Sequence, residues 1–476
     1  MGSMSAMRPL LLLPEMLLFA GGLVALLGGS FLARRRQWVT RAVAALTLAG
    51  CAVIAAVHLT GPARAAFEGT FAVDTATGVA RIIAALGTLL VLALAGDEIT
   101  HSARESETYA LLLFSTTGVL VLAGADDLLV VAVGFLLTSI PLYGLIGIAR
   151  TPHAAEAAMK TYLIGALFGI LLLLGVTLLY AVSGTTAYGE LGARLAGAPP
   201  SVVAAGALGV LAGLMFKAGG VPGHFWVPDA AEGAGGAVAA FLTTVPKIGA
   251  VVAAYRLVAE LPTALNWPLL VAVLAVASMT LGNLAAYWQQ DPRRLLGWST
   301  VSQVGYLLVP VAVAGRSDLA LPSLLVYLAG YTVTNIVAFA VTTALPQRRD
   351  LESYRGLAKA RPWLAAALVV ALLGLVGTPP TAVFVGKLTT ATAAWDGGHA
   401  WLAIVLLVNT LASLFYYLRW VVPVFGRGEP AERTLPGAFQ PAPWSTAVAV
   451  WGAVLTLLLG VAAGLTWDVV SRGPLL

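Results

Sequence analysis

Apolar runs of about 20 residues, separated by short polar stretches, recur from one end of the 476-residue chain to the other. As a helix, each run is long enough to cross about 30 Å of hydrocarbon. A membrane barrel would need short alternating segments instead. The pattern therefore predicts an all-α polytopic membrane protein with about fourteen spans. The first three, near residues 8–32, 38–60 and 74–96, carry little polar content at depth and read as packing helices within residues 1–100. The remainder divides into 105–258, 264–427 and a C-terminal helix in 440–476, all within one membrane domain, 1–476.

Helix breakers interrupt three of these runs. The stretch LAGLMFKAGGVPGHFWVPDAAEGAGGAVAAFLTTVPKIG sets Lys217 in span seven and Lys247 in span eight. Gly219, Gly220, Pro222 and Gly223 follow Lys217, and Pro246 precedes Lys247, so both helices are expected to break beside their lysines. Span twelve, about 363–395, contains GLVGTPPTAVFVGKLTTATAAW, where Gly377, Pro379 and Pro380 form a third break before Lys387. Broken helices at depth need water or protein to satisfy the freed backbone groups, so they line cavities. The span-seven pattern returns five spans later, an odd offset that inverts the second copy.

Polar positions inside the spans are also patterned. Span five carries Thr138, Ser139 and Pro141, and Glu156 and Lys160 lie one turn apart at the start of span six. Asn283, Tyr287 and Gln290 sit near the end of span nine. Ser299, Ser302, Gln303 and Tyr306 share one face of span ten, as do Tyr327, Tyr331 and Asn335 in span eleven and Asn409, Ser413 and Tyr416 in span thirteen. Such stripes serve either a polar path or hydrogen bonding between helices.

Composition supports the membrane assignment: 59% apolar and 10% charged residues, with a mean hydropathy of +0.90, leave too little polar surface for a soluble globule. The formal charge of +5 does not point to nucleic acid, because the arginines lie at helix ends. Basic loops at Arg34 to Arg36, Arg150, Arg293 and Arg294, Arg348 to Arg361, and Arg427 with Arg433 alternate with loops poor in basic residues. They mark the cytoplasmic face, and with fourteen spans both termini face away from it. The single cysteine, Cys51, excludes a disulfide framework and cannot hold an iron-sulfur cluster. His58, His101, His153 and His399 show no metal-ligand or haem spacing.

Four of the five lysines, Lys160, Lys217, Lys247 and Lys387, lie in or at the edge of apolar spans, and Lys359 is in a loop. An ammonium at the helix centre costs about 2.5–3.5 kcal/mol on insertion scales, so these positions imply function. A desolvated lysine can titrate near neutral pH, whereas arginine stays charged. The lysines and the stripes between them therefore suggest a lateral proton relay, with His224 a further candidate beside the break after Lys217. For each lysine the alternative is a snorkelling or ion-paired structural role. Asp229 and Glu232 are expected to cap the start of span eight.

FKAGGVPGHFWVPDAAEGAGGAVAAFLTTVPK, DPRRLLGWSTVSQVGYLL, DLESYRGLAKARP and GTPPTAVFVGK, in this order, resemble the antiporter-like membrane subunits of respiratory complex I. YRGLAKARP and YALLLFSTTGVLVLAGADDLL most resemble the N-subunit branch of bacterial NADH:quinone oxidoreductases. The resemblance implies two inverted five-helix repeats and a proton path. It implies Lys217 in a first half-channel, Lys247 at the centre, Lys387 in a second half-channel and Lys160 beside them, with Glu156, His224, Gln303, Tyr306 and Tyr331 in support. It implies no cofactor in this chain, with NADH, FMN, iron-sulfur clusters and quinone in partner subunits of a bacterial plasma-membrane complex. Two positions depart from the pattern: GFLLTSIPLY has Leu136 where the family has a glutamate, and Gln303 stands where histidine is frequent. A cation/proton antiporter subunit and a weakly conducting structural paralogue are the competing expectations.

Overall fold

The computed structural model describes residues 7–100, 102–262, 265–427, 442–471, 473 and 475; His101, Arg433 and the start of the 440–476 segment lie outside them. Helices run α1 Leu13–Phe31, α2 Trp38–Leu59, α3 Thr75–Glu98, α4 Glu105–Gly124, α5 Leu128–Gly147, α6 Pro152–Ser183, α7 Tyr188–Leu195 and α8 Pro200–Ala218. They continue as α9 Trp226–Gly233, α10 Gly236–Leu242, α11 Val245–Glu260, α12 Trp267–Ala286, α13 Pro292–Ala312, α14 Ala320–Ala344 and α15 Leu357–Ala360. α16 Pro362–Val376, α17 Ala382–Asp396, α18 Ala400–Phe425, α19 Pro443–Val461 and α20 Ala463–Val470 complete the set. A small antiparallel hairpin, β1 Arg64–Ala66 and β2 Phe71–Val73, joins α2 to α3 with Arg64 opposite Val73.

Among the described residues, 13 helical stretches are long and apolar enough to cross a membrane, counting α10 and α11 together. The shorter α16 and α17 supply the remaining expected crossing as a broken pair. All three expected breaks are present. Span seven stops at Ala218 with Gly219 left-handed, span eight parts at Thr243 and Thr244, and span twelve stops at Val376 with Gly377 left-handed. Glycine takes the left-handed conformation without the Cβ penalty and so ends a helix cleanly.

The broken span eight is buried throughout, and α13 and α14 nearly so, whereas α1, α2, α6, α18 and α19 present large apolar side chains outward. The molecule thus has a central axis of broken or polar-striped helices inside an apolar sheath. Small residues let its helices approach closely. A Cβ on Gly175 of α6 would lie 2.5 Å from the Gly206 carbonyl of α8, and one on Gly282 of α12 would lie 2.4 Å from the Ser302 amide of α13.

The third span carries more than the packing role read from its sequence, because α3 lies against α14 and α11 in this axis. Its buried Arg81 pairs with Glu15 of α1 at 2.7 Å. Asp74, the N-cap of α3, accepts a buried ion pair from Arg256 of α11 at 2.7 Å. The capping expectation for span eight is corrected. Glu98, at the end of α3, accepts from the Gly236 and Ala237 amides at 2.9 Å each, while Asp229 and Glu232 turn to Arg294. A helix start exposes amides to any nearby carboxylate, and here the third span brings one closer than the local sequence does.

Candidate functional site

Helix breaks leave carbonyls without backbone partners, and two of the buried lysines occupy them. Thr243 sits between α10 and α11, four residues before Lys247, and its carbonyl accepts a short hydrogen bond from Lys247 Nζ. The Tyr331 hydroxyl, on α14, donates to the same carbonyl at 2.7 Å and lies 3.1 Å from the Thr300 hydroxyl of α13. Asn335 Nδ2, one turn along α14, donates to Thr243 Oγ1 at 3.0 Å. The Tyr331 ring centroid is 5.3 Å from Lys247 Nζ, close enough for its π face to attract the ammonium.

The second break is arranged alike. The left-handed Gly377 ends α16, and Lys387 Nζ donates to the freed carbonyls of Leu375 and Val376 at 3.2 and 2.9 Å. Gln303 Nε2 of α13 shares the Leu375 carbonyl at 2.8 Å, and Gln303 Oε1 accepts from Tyr327 at 2.5 Å. Lys387 Nζ also stands 4.0 Å from the Tyr306 ring centroid. Thr300 and Gln303 lie one helical turn apart on α13. Two hydrogen-bonded rungs therefore flank that turn, Lys247 with the Thr243 carbonyl, Tyr331 and Thr300, and Gln303 with the Leu375 carbonyl and Lys387, in a ladder of side chains and main-chain acceptors.

Lys217 is held differently. It is 1% exposed at the end of α8, and its Nζ has no hydrogen-bond partner among the described residues. The Phe135 and Phe216 rings face it at 5.1 and 5.7 Å. Leu136, the position where the resemblance expects a carboxylate, points to the outer face of α5 and is 43% exposed. The neighbouring Phe135 is the α5 residue that meets the ammonium. His224 is buried, with neither ring nitrogen in hydrogen-bonding geometry to a partner among the described residues, 4.1 Å from the Phe225 ring and 5.8 Å from that of Trp298.

Lys160 and Glu156 do not join the buried lysines. Lys160, its side chain 46% exposed, binds Glu156 at 2.7 Å and Asp229 at 2.9 Å. Arg294 extends this cluster to Asp229 and Glu232 at 2.6 and 2.8 Å. Burial pushes the Asp229 carboxyl up, but the bonds from Lys160 and Arg294 outweigh it and hold it below the usual carboxylate range.

Ser302 of the span-ten stripe and Asn409 and Tyr416 of the span-thirteen stripe converge on Asn283 of span nine. Its Nδ2 donates to the Asn409 carbonyl at 2.9 Å, and its Oδ1 accepts from Ser302 at 2.9 Å and Tyr416 at 3.2 Å. Sequence reasoning missed Thr243, Thr300 and the carbonyls of Leu375 and Val376, because a main-chain acceptor has no sequence signature. It also passed over Arg256, although a charge within an apolar run was signal enough.

The family pattern described as NADH:quinone oxidoreductase/Mrp antiporter, TM, matches residues 125–413. A relative from Mycobacterium sp. (strain JLS), NADH-quinone oxidoreductase subunit N, is 67% identical over 98% of this chain and 99% of its own length. A Streptomyces griseus relative of the same designation, numbered 1, is 50% identical over 96% of each chain. Among solved structures, a chain of respiratory complex I from Thermus thermophilus with bound Aureothin superposes with a TM-score of 0.83 at 31% identity, covering 97% of this chain and 100% of that one. A chain of the Mrp complex from Dietzia sp. DQ12-45-1b shares the fold, with a TM-score of 0.83 at 24% identity over 97% and 96% of the two chains. Identity at this level over nearly the whole length places the chain in the family of NADH-quinone oxidoreductase N subunits, antiporter-like membrane proteins of complex I.

Proposed function

We propose that this membrane-arm subunit carries protons across a bacterial plasma membrane through a relay of Lys217, Lys247 and Lys387, driven by quinone reduction in partner subunits. NADH, FMN, iron-sulfur clusters and quinone belong to those partners in this reading, and neighbouring antiporter-like and quinone-site membrane subunits flank the chain. The observation that carries it is the ladder between two buried lysines, each seated on carbonyls at a helix break. A lysine donates to a carbonyl more weakly as a neutral amine than as an ammonium, so a second donor on the same acceptor lowers the cost of losing the proton. Tyr331 and Gln303 are those second donors.

Lys247→Met in the intact complex tests the proposal. Protons translocated per NADH should fall while uncoupled NADH:quinone electron transfer persists; an unchanged proton ratio overturns it. The setting of Lys217 favours a second reading, a weakly conducting structural subunit, because two aromatic rings stand where an acidic partner would tune the ammonium. In that case the proton ratio is insensitive to all three buried lysines.

A further inference from the structure

Lys247 and Lys387 rest on carbonyls freed by helix breaks, but the Lys217 ammonium has neither a carbonyl nor a carboxylate as partner among the described residues. What surrounds it is aromatic. Its Nζ stands over the face of Phe135 from α5 at 5.1 Å and over that of Phe216, its own neighbour on α8, at 5.7 Å. The two ring centroids are 6.2 Å apart with their planes tilted by 54°, so both faces open on the same ammonium. Phe216 is fixed in turn. Phe168 of α6 stacks on it at 5.7 Å with 13° between the planes, Trp226 of α9 packs against it at 5.5 Å, and Trp226 Nε1 donates to its carbonyl at 3.0 Å. Two glycines of α6 make room for the pair. A Cβ on Gly169 would lie 3.2 Å from Phe135 Cε1, and one on Gly165, a turn earlier, would lie 2.9 Å from Phe216 Cζ. A larger residue at either position would press a ring away from the lysine.

A ring face carries the negative lobe of the aromatic quadrupole and attracts a cation within about 6 Å of its centroid, most strongly where water is excluded. It offers little to a neutral amine and holds no proton of its own to trade. A carboxylate at the same depth can take up a proton or swing to another cation; a phenyl ring can do neither. The next side chain of α5, Leu136, lies on the outer face, so the group that meets the ammonium from this helix is a ring. We infer that Phe135 and Phe216, lodged against Gly169 and Gly165, form an aromatic seat that holds the Lys217 ammonium in place of an acidic partner. Both phenylalanines are positioning residues for that charge, and the field they supply stays the same when neighbouring groups titrate. The consequence for proton transfer rests on the relay proposed above; the seat itself does not.

Replacing Phe135 by 4-fluoro-, 3,5-difluoro- and 3,4,5-trifluorophenylalanine through amber suppression, in the intact complex, thins the π face stepwise at nearly constant shape. Acetic anhydride reads the result, because it acylates a neutral amine and spares an ammonium. Acylation of Lys217 at fixed pH, measured by peptide mass against the exposed Lys359, should rise with each added fluorine and reach a severalfold increase at three. Cyclohexylalanine at the same position fills the seat without a π face and should label at least as strongly as the trifluoro variant. Labelling that is flat across the fluorine series, or raised by cyclohexylalanine alone, assigns the ring to packing and overturns the proposal. Should the trifluoro chain fail to assemble, the monofluoro and difluoro steps decide in the same way. The seat and the relay fail separately. If Lys217→Met leaves the protons translocated per NADH unchanged while labelling climbs with fluorine, the relay falls at this site and the seat stands; if that ratio drops and labelling stays flat, the relay stands and the seat falls.

Discussion

Lys247 and Tyr331 donate to one acceptor, the carbonyl of Thr243, which belongs to neither of the two half-helices it separates. Lys387 and Gln303 converge in the same way on Leu375. In both halves of the chain a backbone break creates the acceptor, a lysine occupies it and a neutral side chain from the adjacent helix shares it. The arrangement holds an ammonium in an apolar interior without a carboxylate, so a proton can leave without stranding a buried anion.

Removing the shared donor should weaken the site without dismantling it. Tyr331→Phe loses the hydroxyl's bonds to the Thr243 carbonyl and the Thr300 hydroxyl, worth about 1 kcal/mol each. Assembly should persist and proton translocation per NADH should fall, as read by acid-pulse measurements on inverted vesicles beside uncoupled electron transfer.

Charge and titration separate at Lys387. Lys387→Arg keeps the cation but fixes the proton, since a guanidinium does not deprotonate in this range. Translocation should drop to the level of Lys387→Met; wild-type translocation with arginine would mean that charge alone is needed there.

Gly377 has φ +94, and a Cβ added to it would meet Lys387 Cδ at 2.9 Å. Gly377→Ala should cost about 1–2 kcal/mol in backbone strain and push the Lys387 stem off its carbonyls. Lower thermal stability together with a reduced proton ratio is the expected pair of results.

The Asp74 and Arg256 pair is buried on both sides. Arg256→Leu takes the guanidinium away from a buried carboxylate, a loss of about 3–5 kcal/mol, and should deplete the subunit from assembled complex on native gels. Adding Asp74→Asn should recover part of the assembled fraction.

Burial pushes the Asp126 carboxyl up to about 6 from 3.8, with Arg256 opposing the shift. The folded chain binds the proton more tightly than the unfolded chain, so this group lowers stability as pH rises from about 4 to about 6 and adds no further slope above that. Asp126→Asn should remove that component, seen as a smaller drop in the thermal midpoint across this window.

Much of this was legible in the sequence. Continuous apolar runs fixed the helical membrane class because lipid offers no partner for an open backbone, and Gly219, Pro246 and Gly377 announced the breaks because their allowed geometry ends or interrupts a helix. The burial of Lys217, Lys247 and Lys387 followed from their place in those runs. Which groups meet the lysines was decided by tertiary structure alone. The acceptors at Thr243 and Leu375 are main-chain atoms, the shared donors come from helices distant in sequence, and the outward turn of Leu136 beside an inward Phe135 depends on how α5 is rotated against α8. Lys160 shows the same division: its pairing with Glu156 is set by one helical turn, but its place in a surface cluster with Asp229 and Arg294 exists only because three helix ends meet there.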